Sequence, residues 1–168
     1  MNDFFSDDDH YTGPPLTEEM VTKAQQTLGY LLPATYLDLI RGTNGGCPVR
    51  CCFPTEFATS WAADHVEISG LRGIGGEWGI DSTDGLGSSE MIDEWAYPRI
   101  GVVICDMPSG GHDAIMLDYS SCGPSGEPAV VYVDEDMQPK LIAKNFESFL
   151  IGLQSCSDFL TESGGIAP

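Results

Sequence analysis

Apolar residues recur at helical spacing in four places along this chain. Met20, Val21, Ala24 and Leu28 share one face of a helix that Thr17 caps and Gly29 stops, with Glu18 and Glu19 in its first turn. A second helix begins at about Pro33, turns Tyr36, Leu37 and Ile40 inward, and ends at Asn44-Gly45-Gly46, so the two form a helical hairpin. Ser88 or Ser89 caps a third, with Met91, Ile92 and Trp95 on its inner face and Glu90, Asp93 and Glu94 toward water. Asn145 caps a fourth, in which Phe146, Phe149, Leu150 and Leu153 face the core.

Between the third and fourth helices the period changes. Residues 100–105 are apolar and β-branched, the signature of a buried strand, and 113–119 and 129–133 predict two more strands around a turn at 123–126. Residues 66–68 predict a short strand. Residues 70–87 predict a long glycine-rich loop of the kind that binds something or wanders, and 47–60 carry no readable pattern. Helices, then strands, then a helix predict an α+β domain with a mainly antiparallel, twisted sheet flanked by helices. The 168 residues suit one such domain, here placed at 16–156 between an acidic leader (1–15) and a tail (157–168).

Charge changes this picture more than composition does. Twenty-six Asp and Glu face 7 Lys and Arg, a formal net charge of −19, which argues against nucleic acid or an anionic membrane as partner and favours a basic one. Residues 73–98 hold Glu77, Asp81, Asp84, Glu90, Asp93 and Glu94 without one Lys or Arg. No apolar run reaches the roughly 20 residues needed to span a bilayer, and the acidic start is unlike a signal peptide, so the chain reads as cytoplasmic. Without an export signal or regular spacing, the six cysteines read as free thiols.

The order of motifs resembles a known family. Leu28-Gly29, Leu32-Pro33, Tyr36 and Asn44-Gly45-Gly46 are followed by Asp106 to Tyr119 with its Gly110-Gly111 turn, then Gly126-Glu127-Pro128, and finally Asn145-Phe146 through Phe149-Leu150. Together they resemble the SUKH superfamily, the Smi/Knr family of cell-wall-assembly regulators and bacterial toxin-immunity proteins. The resemblance implies a protein-binding domain without catalytic residues, either an immunity protein that covers the active site of a cognate toxin such as a nuclease, or an intracellular scaffold.

Three constellations hold residue types suited to chemistry. Asp106, His112 and Asp113 offer imidazole and carboxylate ligands for a metal-dependent enzyme, but they equally fix a hairpin through side chain–backbone bonds, the preferred reading. Cys47, Cys51, Cys52 and His65 offer zinc-type ligands, yet the spacing lacks a CxxC pair, and adjacent Cys51 and Cys52 point apart if extended. Cys105 lies in an apolar run before Asp106 and reads as an inert core thiol. The sequence therefore predicts no catalytic group, no metal and no cofactor.

What remains is a surface. Glu77, Trp78, Asp81, Asp84, Glu90, Asp93 and Glu94 are the expected contact residues for a basic protein toxin, with Trp78 as aromatic anchor and Trp61 and Trp95 in the core. A nuclease groove is positively charged to hold phosphates, and an acidic face can occupy it.

Overall fold

The four helical patterns become α1 (Glu18–Leu28), α2 (Ala34–Gly42), α3 (Ser88–Trp95) and α4 (Phe146–Gly152). The computed structural model describes residues 3–83 and 86–159, so Asp84 and the tail from 160 onward lie outside the described residues. Thr17 caps α1 by accepting the Met20 N–H at 3.2 Å, and Gly29 closes it in the left-handed conformation. Asn145 caps α4 through the Ser148 N–H at 2.8 Å. The expected serine cap of α3 is not met. Gly87 holds the N-cap position, and the buried Ser88 hydroxyl instead accepts the Val103 N–H at 2.8 Å, so it ties the helix to the sheet.

Among the described residues the strands are, in chain order, β1 (Cys52–Pro54), β2 (His65–Glu67), β3 (Gly70–Leu71), β4 (Gly101–Asp106), β5 (Ala114–Asp118), β6 (Ala129–Val133) and β7 (Pro139–Ala143). β1 and β2 form a two-stranded antiparallel sheet, while β3 to β7 form an antiparallel sheet in sequence order. The α+β expectation holds. β3 and β7 go beyond the sequence pattern: β3 is only two residues long, and β7 is an edge strand that starts on a proline and leaves Leu141 exposed.

The central strands are buried on both faces, which is why they read as unbroken apolar runs. Val102, Ile104, Ile115, Leu117, Val130 and Tyr132 face α1, α2 and α4 in the larger core. Their alternates Val103, Ala114, Met116, Val131 and Val133 pack with Met91 and Tyr97 beneath α3. Register keeps each set together, with Val103 opposite Met116 and Met116 opposite Val131.

One expectation about the cysteines is overturned. Cys52 and Cys156 form a disulfide across 104 residues of sequence. The cause is topological: Cys52 and Gln154 exchange backbone hydrogen bonds, which lays the short 3-10 turn Cys156–Phe159 against β1. Cys47, Cys51, Cys105 and Cys122 remain free.

Candidate functional site

A buried arginine holds described residues of the loop expected at 70–87. Arg72 is 2% exposed; its Nε and Nη2 donate to the two carboxylate oxygens of Asp106 at 2.9 and 3.0 Å, and Nη1 donates to the Leu86 carbonyl. Its guanidinium also stands 5.7 Å from the centre of the Trp78 ring. Burial raises the Asp106 carboxyl above its ordinary range, against the lowering pull of Arg72. Asp106 is thus a structural counter-ion.

Two side chains from α2 and its C-terminal turn grip the same loop. The Tyr36 hydroxyl donates to the Arg72 carbonyl at 2.7 Å. Asn44 donates from Nδ2 to the Pro14 and Ile74 carbonyls and accepts the Ile74 N–H at 2.9 Å. Gly45 has a φ of 88°, and a Cβ there would stand 2.7 Å from the Gly73 nitrogen, so no side chain fits between these backbones. The leader joins this hub: Ser6 and Gly13 donate backbone bonds to the Cys47 and Asn44 carbonyls, and Tyr11 packs on Gly70 and Trp78. Burial, then the Asp106 charge, pushes the Tyr11 hydroxyl up to about 12.

Trp78 is therefore half-buried, ringed by Tyr11, His10 and Arg72. Exposed tryptophans stand elsewhere. Trp95 is 41% exposed and Trp61 47%, although the sequence placed both in the core. Trp95 does not turn inward because its ring covers the hairpin turn after β4: a Cβ on Gly111, at φ 110°, would stand 2.3 Å from the indole. Tyr97 braces the turn by donating to the Gly111 carbonyl at 2.7 Å. Trp95, Gly110, Gly111, His112, Glu135 and Met137 line an open depression of about 410 Å³, and Trp61 lies at its edge, 6.4 Å from the His112 ring.

The groups with the residue types for chemistry are each committed elsewhere. Asp113 accepts the Ser109 hydroxyl at 2.5 Å and the Tyr132 hydroxyl at 2.6 Å, and burial raises its carboxyl. His112 is exposed, 3.9 Å from Glu135. Asp106, His112 and Asp113 do not form a ligand cluster among the described residues, where the grouping that does form is Cys51, Cys52 and Cys156. The adjacent cysteines thus do not point apart, as extension had implied. Burial first, then Asp106, holds the Cys105 thiol well above its ordinary range, as expected of an inert core cysteine.

Joints and loops of this kind sit in a known architecture. A family model described as SMI1 / KNR4 family (SUKH-1) matches residues 15–152. The chain belongs to the SMI1/KNR4 (SUKH-1) family. No curated protein matches it. The motif residues that suggested SUKH membership turn out to be joints: Tyr36 and Asn44 hold the 72–74 segment, and Tyr119 ties β5 to the Leu32-Pro33 region by donating to the Leu31 carbonyl at 2.8 Å. The acidic residues of this SUKH chain are distributed unevenly. Glu77, Asp93 and Glu94 are exposed, Glu90 is half-buried, and Asp81 turns back to accept the Gly75 N–H at 2.8 Å. Asp93 also pairs with Arg99 at 2.6 Å. Asp84 lies outside the described residues.

Proposed function

We propose that this chain is a non-enzymatic, cytoplasmic protein-binding domain that serves as an immunity protein, neutralising a cognate basic toxin, such as a nuclease, by covering its active site. Membership in the SMI1/KNR4 (SUKH-1) family carries the reading, and the net charge of −19 supports a basic partner. No helix among the described residues is long and apolar enough to cross a membrane. The contact surface combines the acids of α3 with the aromatic residues beside them: Asp93 and Glu94 are continuous in sequence with exposed Trp95, whose depression is edged by Glu135 and Trp61. Large aromatic side chains supply anchoring area, and the surrounding carboxylates steer a basic groove toward them. Trp78 and Asp81 serve this surface less directly, since both are engaged within the chain.

The test separates steering from anchoring. Reversing the exposed Asp93 and Glu94 to Lys is expected to change stability by less than about 1 kcal/mol, since exposed charges contribute little. It should slow association with the toxin at low salt and much less at high salt, where charges are screened. Trp95→Ala is expected to speed dissociation roughly tenfold or more with little effect on association. Wild-type kinetics in both variants across the salt range would remove this surface from the reading.

A further inference from the structure

Three sulfurs meet where the chain closes on itself. Cys51 and Cys52 lead into β1, and the backbone exchange between Cys52 and Gln154 brings Cys156 down on both of them. The sulfur atoms of Cys51, Cys52 and Cys156 all lie within 4.8 Å of one another; Cys52 is buried and the other two are half-buried. Cys52 and Cys156 are joined as a disulfide, with the free thiol of Cys51 in contact with Cys156. A disulfide uses two sulfurs, so the closure of the chain leaves the third without a part in it.

Thiolates bound to one ion at about 2.3 Å stand roughly 4 Å apart, so three sulfurs already within 4.8 Å of one another have only to spread once the disulfide opens. Structural zinc takes four protein ligands, and the nearby histidine is engaged otherwise: His65 stacks on Phe159 at 4.3 Å, and its Nδ1 faces Asp64 at 2.9 Å. Three thiolates satisfy a soft ion of low coordination number, and copper(I) is that ion among those with a preference for sulfur.

We propose that the reduced form of this chain binds one copper(I) ion through Cys51, Cys52 and Cys156, and that the Cys52–Cys156 disulfide closes the site. Opening it takes two electrons and two protons from a dithiol reductant, which becomes a disulfide as the Cys52–Cys156 bond breaks into two thiols. Uptake then forms three Cu–S bonds and releases the three thiol protons.

The experiment uses the full chain, reduced with a dithiol, desalted without oxygen, and titrated with copper(I) supplied as its acetonitrile complex against a chromophoric copper(I) chelator. Reduced wild type is expected to withhold one equivalent from the chelator, and so is the Cys47→Ser/Cys122→Ser variant. Cys51→Ser should bind at least tenfold more weakly while its oxidised form keeps the disulfide and the wild-type melting temperature, which shows that it folds. Oxidised wild type should withhold none. Undiminished binding by Cys51→Ser, copper held by the oxidised chain, loss of copper in the Cys47/Cys122 variant, or retention of zinc in place of copper would each overturn the assignment.

Discussion

Asn44 shows how one residue carries more than its sequence context reveals. Its place before two glycines predicts the end of a helix, which is what it marks, but its side chain does a second task by joining Pro14 and Ile74, each 30 residues away. The two bonds with Ile74 are buried and the one to Pro14 partly so, and removing the amide leaves carbonyl and N–H groups without this partner. Asn44→Ala is expected to cost about 3 kcal/mol in urea unfolding, with the 72–74 segment gaining amide exchange, because orphaned buried groups cost more than the bond itself. An exposed asparagine would show less than about 0.5 kcal/mol. The same limit on local reading explains the tryptophans. Helical spacing assigns Trp95 to the inner face of α3, yet its indole is drawn over Gly111 in a turn that the spacing says nothing about. Trp78 looked free in a glycine loop because two of its ring partners, His10 and Tyr11, sit in another part of the chain.

At the scale of elements, the sequence was most legible where apolar periodicity was strong. α1, α2, α4 and the strands β4, β5 and β6 lie within a residue or two of their expected positions, since each has a face or both faces in the core. Phe149 tests α4 directly: it is fully buried, stacked on Phe53 at 5.3 Å and beside Phe146. Phe149→Ala is expected to cost about 3–5 kcal/mol, and an unchanged melting temperature would remove the helix from the core. β7 and the 3-10 turn escaped prediction because neither has a period of its own; an edge pairing with β6 and a backbone exchange with β1 place them. That placement also produced the disulfide. Closing a loop across 104 residues restricts the unfolded chain, so Cys156→Ser is expected to lower stability by about 4 kcal/mol relative to the oxidised wild type, measured by denaturant titration without reductant.

Across the whole molecule, negative charge outweighs every other feature, and it bears on the pH response. Burial raises the carboxyls of Asp106 and Asp113, so the folded chain holds their protons more firmly than the unfolded one. Stability from this source is full below the ordinary value of 3.8 and is lost as pH rises through the higher native values. Glu18, lowered by its bond from Arg41, and Asp136, lowered by the Gln138 N–H, act in the opposite sense, but both are fully exposed and weigh little. Self-repulsion at a net charge of −19 works in the same direction as the buried pair. The denaturant needed for urea unfolding is therefore expected to fall as pH rises from the ordinary carboxylate value of 3.8, and Asp113→Asn should flatten part of that fall. The family and the acidic charge were legible in the sequence, whereas the exposed Trp61–Trp95 edge was not, since it exists only once the turn after β4 is folded. If the chain neutralises a basic toxin by binding it, the toxin's own activity reports on that most directly. Titrating the purified cognate toxin with the full chain should abolish its activity at one equivalent, and undiminished activity in a large excess of the chain would contradict the account.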